Sequence, residues 1–296
     1  MEHAPIRNCT HEALPWEGLA VPKPWEYPFT LVIPVIGFPE LVGQCLQGWQ
    51  LQTVRPFIML VDTGSTAHEL ERIRGFASNN VEIHSLRFVG RAHPSEFPAI
   101  AMDLAFAAAA TPIVISTHQD VFPRRRDLLQ NMGSQCCETE PIVGYEMSPR
   151  EGWDWHGMVS HTLTAYHMPT MHRIGFGWSL QRLRARHADP MYTPTVPQVG
   201  WPDTEVLGNE ILREHGIKPK LIGHESNQQR FIDENIDHFR SFVSSGLWCP
   251  AYHAMAREWY QDAVRLGTER AKHWAYQRAR ENAVEYRRAA EGKEAL

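Results

Sequence analysis

Two short apolar runs, each closed by an acidic loop, constrain this chain more than any other feature. The first is Phe57-Ile58-Met59-Leu60-Val61, followed by Asp62-Thr63-Gly64-Ser65-Thr66. The second is Pro112-Ile113-Val114-Ile115, followed by Ser116-Thr117-His118-Gln119-Asp120-Val121-Phe122-Pro123. A strand buried on both faces of a parallel sheet reads as such a run of branched apolar residues. Open α/β sheets bind ligands beyond the carboxyl ends of their strands, which is where both aspartates fall. Asp62, on a Gly-Ser turn, suits hydrogen bonding to a ribose or a base. Asp120, in a His-x-Asp triplet, suits holding a divalent cation against a diphosphate. The structural alternatives are an Asx-turn around Gly64 for Asp62 and a helix cap before Arg124–Asn131 for Asp120.

Strand and helix signals alternate around these runs. Strands are predicted over 29–34, 57–61, 81–86, 112–116 and 142–145, with helices over 39–49, 69–78 and 95–109. This order predicts an α/β fold with a mainly parallel sheet flanked by helices. Residues 1–28, with five prolines and two tryptophans, read as an extended leader. Residues 150–200, rich in Trp, His, Met, Gly and Pro, read as a long irregular stretch of the functional kind. A helical extension is predicted over 250–296, where Met255, Trp259, Ala263, Leu266 and Ala271 recur at helical spacing. Its apolar stripe needs a surface to cover, and a homo-oligomer through this helix is one option.

Composition excludes several classes. A net charge of −5 argues against an electrostatic grip on nucleic acid, and Arg124-Arg125-Arg126 is the densest basic run. Five cysteines, with Cys136 and Cys137 adjacent and no Cys-x-x-Cys, argue against a disulfide framework or zinc ribbon and suit a reducing cytoplasm. No signal peptide is visible, and the longest apolar stretch, residues 104–115, is too short to span a bilayer. No internal repeat stands out.

The ordered motifs resemble family 2 glycosyltransferases with the GT-A fold. In that family one strand ends in Asp-Asp-Gly-Ser and a later one in Asp-x-Asp. Asp62-Thr63-Gly64-Ser65 is similar to the first, with Thr63 in place of the second Asp. His118-Gln119-Asp120 is similar to the second, with His118 in place of its first Asp. Phe29-Thr30-Leu31-Val32-Ile33-Pro34 resembles the opening strand, and Ala101-Met102-Asp103-Leu104-Ala105-Phe106 the helix before the metal strand. Trp201-Pro202-Asp203-Thr204-Glu205 and the helix after it resemble the acidic catalytic motif. The resemblance spans roughly residues 29–225. It implies a nucleotide-sugar-binding half over 29–140, an acceptor-binding half over 141–249 and metal-assisted sugar transfer with inversion, a UDP-sugar being favoured. The acceptor stays open: a glycan, a small molecule or a macromolecule, modified nucleic acid included.

The resemblance also implies roles for single residues. Pro34, Val35, Asp62, Gly64, Ser65, Asp103, His118, Gln119 and Asp120 would face the donor. Asp120 with His118 would hold Mn2+ or Mg2+, and His224 or His238 would complete the shell. Imidazole at His118 suits Mn2+ better than Mg2+. Asp203 is the candidate general base, with Glu205 as its substitute; the plain alternative is a helix cap. Trp153, Trp155 and Trp178 would stack on an acceptor, or else pack in the core. His161, His167 and His172 lack zinc-type spacing and read as acceptor-region surface or core. Two other functions fit less well. A sugar-1-phosphate nucleotidyltransferase would carry Arg and Lys in the loop Val35-Ile36-Gly37-Phe38-Pro39, which has neither. A catalytically silent nucleotide-sugar or glycan-binding module is kept open by the departures at Thr63 and His118.

Overall fold

The computed structural model describes residues 10–13, 27–89, 95–147, 156–194, 203–225, 231–239, 261–277 and 279. The predicted acceptor residues Trp153 and Trp155 lie outside them, as do most of the 1–28 leader and residues 240–260. The elements in order are β1 (Thr10–Ala13), β2 (Thr30–Val35), α1 (Pro39–Gln50), β3 (Phe57–Asp62), α2 (Ala67–Arg74), β4 (Val81–Val89) and α3 (Glu96–Ala108). There follow β5 (Ile113–Thr117), β6 (Val121–Pro123), α4 (Leu128–Gln135), β7 (Ile142–Glu146), β8 (Val159–His167), α5 (Met168–Ile174) and α6 (Leu180–His187). The last are α7 (Val206–Glu214), β9 (Lys220–His224), β10 (Phe231–Ile232) and β11 (Ile236–His238), before a helix over 261–277.

Eight strands form the central sheet in the order β1-β4-β3-β2-β5-β8-β7-β9. Strands β4, β3, β2 and β5 are mutually parallel, β8 runs antiparallel to β5 and β7, and β9 is parallel to β7. This is the mixed α/β class, with a mainly parallel centre, that the alternation of elements predicts. The carboxyl ends of β2, β3, β5, β7 and β9 and the amino end of β8 therefore share one sheet edge. Alternation along each strand sorts side chains between two cores. Leu31, Ile33, Ile58, Leu60 and Ile115 join α1 and α4 through Leu41, Trp49 and Leu129 on one face. Val32, Met59, Val61 and Val114 meet Ala101, Met102 and Ala105 of α3 on the other. The small residues of α3 let it lie close to the sheet. A fully buried aliphatic or aromatic side chain contributes about 1.5–3 kcal/mol, so both layers hold the edge in place.

Three segments depart from their predicted positions. Helix α2 starts at Ala67 because Thr66 and Glu69 form a reciprocal capping box. The helix predicted over Arg124–Asn131 instead begins at Leu128, because Val121–Pro123 is a strand paired with β11. Asp120 is thus no helix cap. Within the stretch read as irregular, Val159–His167 is a nine-residue strand, and α5 and α6 follow it.

The C-terminal helix covers part of its stripe within the chain. Ala263, Ala271 and Trp274 are buried, and a Cβ at Gly267 would meet Phe122 and Gln44 at 2.9 Å. Arg270 bonds Asp237 at 2.5 Å and donates to the Pro123 carbonyl at 3.0 Å. Ala263, Ala271 and Leu266 of the predicted stripe therefore need no second copy; Met255 and Trp259 lie outside the described residues.

Candidate active site and metal centre

The loops after β2, β3 and β5 are tied into one platform. Asp62, the last residue of β3, accepts from the Ser65 amide at 3.1 Å and from the Ser65 hydroxyl. That hydroxyl in turn accepts from the Gly37 amide at 2.7 Å. The Asx-turn expected as the plain alternative is therefore present. Gly64, at φ 136°, takes a backbone conformation that a side chain would strain. Gly37 and Phe38 are both left-handed, at φ 61° and 51°, so the β2 loop turns sharply before α1. Thr63, standing where the resembling family has an acid, donates to the Val35 carbonyl at 3.1 Å. Gln119 closes the platform: its side-chain carbonyl accepts from Ile36 N at 2.7 Å, and its amide donates to Ile36 O at 3.3 Å.

On either side of Gln119, His118 and Asp120 converge with His238. Their nearest ligand atoms all lie within 4.8 Å of one another. His238 Nε2 stands 3.6 Å from Asp120 Oδ1. The pairing of β11 with β6 makes this contact, setting His238 opposite Val121, and Phe239 N donates to the Asp120 carbonyl at 3.0 Å. Asp120 and His238 are 4% and 3% exposed, so a bound ion would meet these donors with little water between them. Two imidazoles and one carboxylate fit Mn2+ well and Mg2+ less well, since Mg2+ prefers oxygen and keeps its waters.

Burial pushes the Asp120 carboxyl up to about 7, with nearby Glu225 adding to the rise and His161 opposing it. Burial also opposes charging of His161, but Glu205, Asp203 and Glu225 together hold its imidazolium above the ordinary range. His161, on β8, bonds the Glu205 carboxylate through Nδ1. Its ring lies 4.3 Å from that of His118, centroid to centroid, and 5.7 Å from Trp178. It is 6% exposed. From sequence alone, His161 reads as acceptor-region surface or core. The signal that could have found it is the alternation in Val159-Ser160-His161-Thr162-Leu163, masked because both faces of β8 are buried and half its residues are polar.

Asp203, just before α7, is half-buried. Its Oδ1 accepts from Ser95 Oγ at 3.0 Å and from Thr204 N at 2.8 Å. Glu205 stands at the N-cap of α7 without a side-chain cap bond.

Four predicted site residues sit differently. His224 lies at the end of β9 with its side chain 72% exposed, and its Nδ1 bonds Glu146 rather than joining the His118 cluster. Trp178 is 1% exposed among Phe106, Tyr166 and Phe176, so its ring packs in the core instead of offering a face to an acceptor. Half-buried Asp103 accepts from the Trp178 amide at 2.8 Å and fixes the turn before α6. Val35 is 1% exposed and its side chain lies in the core, which leaves half-buried Pro34 as the side chain at the end of β2.

No family model and no curated protein matches the chain. Among solved structures it is similar to S. aureus TarS residues 1–349, at 13% identity and a TM-score of 0.39 over 51% of this chain and 50% of that one. The chain thus spans half the length of the TarS fragment. It is also similar to the mannosyltransferase PcManGT from Pyrobaculum calidifontis in complex with GDP-Man and Mn2+, at 16% identity and a TM-score of 0.45, covering 92% and 84% of the two chains. A mycobacterial protein matches at 12% identity and a TM-score of 0.43, over 73% of each chain. Among the described residues no helix is long and apolar enough to cross a membrane.

The buried carboxyl gives the metal-free protein a pH signature. An unfolded aspartate loses its proton near pH 4, whereas folded Asp120 keeps it up to about 7. Between those values the native state binds the extra proton, so stability falls as pH rises through this window. The raised His161 adds in the same sense, its contribution being lost above its unfolded value of 6.5. In EDTA the melting temperature should therefore drop more steeply from pH 5 to pH 8 in the native protein than in Asp120→Asn, and saturating Mn2+ should flatten the native curve. Equal slopes for the two proteins in EDTA would show that Asp120 ionises as a free carboxylate does.

Proposed function

We propose that this chain is a GT-A glycosyltransferase that moves a sugar from a nucleotide-diphosphate donor, a UDP-sugar favoured, to an acceptor with inversion at the anomeric carbon. The observation that carries the reading is the joining of the two acidic loops at one sheet edge through the loop after β2, by Gln119 to Ile36 and Ser65 to Gly37, beside a His-Asp-His cluster whose Asp120 and His238 are buried. The Asp62–Ser65 turn is suited to the nucleoside end of the donor. His118, Asp120 and His238 would hold the ion. When bound, that ion supplies Lewis-acid neutralisation of the departing diphosphate. Asp203 would accept the acceptor hydroxyl's proton as the hydroxyl attacks on the face opposite the leaving group. Pro34, Gly64 and Gln119 would shape the donor pocket, Gln119 through the loop it fixes.

The reading is tested by thermal melts with UDP-, GDP-, CMP- and dTDP-sugars, each with Mn2+, Mg2+ or chelator. A ligand that binds only the native state raises the melting temperature, by about 2.7 kcal/mol of stability at a hundredfold excess over Kd. A rise with one nucleotide-sugar that chelator removes is the expected result. No rise with any donor would overturn the assignment, and binding without donor hydrolysis or transfer would leave a silent binding module. Asp62→Asn is expected to raise the donor KM more than it lowers kcat, because it sits at the nucleoside end. A large loss of kcat at unchanged KM would move Asp62 to the reacting centre.

A further inference from the structure

We infer that His161 and Glu205 work as one positioning pair that holds His118 in its metal-binding orientation, an inference that rests on the proposed metal-assisted transfer. Three contacts fix the His161 ring. Its Nδ1 is bonded to Glu205 Oε1, its face lies 4.3 Å from His118 with the planes inclined at 56°, and Trp178 meets it from another side at 5.7 Å. Trp178 is itself anchored, its amide donating to Asp103 Oδ1 at 2.8 Å. Strand β8 places His161 correctly for this. Thr117 of β5 pairs with Leu163 in the antiparallel register, so His161, two residues before Leu163, lies beside the chain that continues from Thr117 into His118 and Asp120.

The physical case is one of restricted freedom. His118 leaves β5 on a loop, and an imidazole on a loop keeps rotamers that turn its donor atoms away from an ion. A buried ring packed against it removes those rotamers, provided that the packing ring is itself held. Glu205 supplies that hold by fixing the plane of the His161 ring, as carboxylates orient histidines at metal centres. The helix α7 carries Glu205 rigidly: the Glu205 carbonyl accepts from Asn209 N at 3.2 Å and from the Asn209 side-chain amide at 2.9 Å, and that amide also donates to Val159 O of β8 at 2.9 Å. A link therefore runs from α7 through His161 to the metal cluster. Glu205, read from the sequence as a substitute base, is committed to this contact and is 6% exposed. It is a positioning residue, as is His161.

The test is Mn2+ binding by calorimetry and by the spectrum of bound Mn2+, read beside thermal melts in EDTA that report on the fold alone. Glu205→Ala and His161→Phe should each weaken Mn2+ binding by about tenfold or more, the usual cost of losing a residue that orients a metal ligand. Glu205→Gln, whose amide oxygen still accepts from Nδ1, should recover most of that affinity. The double variant should bind Mn2+ no more weakly than the worse single variant, because the two residues act as a unit. Affinities within about twofold of the native value for both Glu205→Ala and His161→Phe would overturn the pair, given the tenfold expectation. So would Glu205→Gln with native Mn2+ affinity and transfer reduced by about 10² or more, since that puts Glu205 in the chemistry. Native protein that binds no Mn2+ at all is a different failure. It would remove the metal-assisted reading itself, and the pair with it.

Discussion

Replacing Asp120 by alanine is expected to abolish the Mn2+-dependent part of nucleotide-sugar binding and to leave the fold intact. Both halves follow from the same contacts. The backbone at this position is structural: the Asp120 carbonyl accepts from Phe239, and Val121 N donates to the His118 carbonyl at 3.2 Å. Alanine keeps those bonds. What it removes is a carboxylate whose charging burial opposes, so the metal-free variant should be no less stable than the native protein at neutral pH. The ligand set loses its one anion and is left with two imidazoles. The fall in Mn2+ affinity should therefore exceed the roughly 100-fold that losing an outer partner can cost. Calorimetry with Mn2+ alone, then with donor in Mn2+ or chelator, separates the two effects. The same donor affinity in variant and native protein, with and without chelator, would show that the ion, if any, sits elsewhere.

The features legible in the sequence were those written in local patterns. Strands β2, β3, β5 and β7 are short apolar runs whose alternation matches two buried faces, and their ends followed from the residues that close them. Asp62 and Asp120 could be placed at one edge because parallel strands put their carboxyl ends together. His238 was one of two candidates for the shell. Only the pairing of β11 with β6 across more than a hundred residues sets it beside Asp120, and no local pattern encodes that register. His224 was the first of the two candidates, on its resemblance to the shell-completing histidine. Its strand ends at the same edge, but Glu146 on neighbouring β7 takes its imidazole. Asp103 and Trp178 show the opposite effect. A polar residue in an apolar helix and an aromatic in a Gly-rich stretch both look functional alone, and they turn out to satisfy each other through one backbone amide. His161 was hidden because a strand buried on both faces by polar contacts has no apolar period to detect.

Asp203→Asn is expected to lower sugar transfer by about 10²–10⁴, the usual worth of a well-placed general base, with little change in donor affinity. The substitution is close to isosteric, and the asparagine oxygen can still accept from Ser95 Oγ and from Thr204 N, the two bonds that Oδ1 holds now. The start of α7 and the Thr204 bond to the Ser95 carbonyl at 2.9 Å should therefore persist. What is lost is the capacity to take a proton at neutral pH. Donor affinity should stay within about twofold, because a base acts on the acceptor and not on the nucleotide. Single-turnover transfer and donor titration on the same preparation measure both quantities. Near-normal turnover in Asp203→Asn would remove Asp203 from the chemistry. If Glu205→Gln were then inactive while keeping its Mn2+ affinity, the proton would go two residues along, to the carboxylate that His161 now holds. NMR of the product supplies an independent check. Inversion at the anomeric carbon requires a base on the acceptor side, whereas a retained configuration would leave Asp203 without a proton to take.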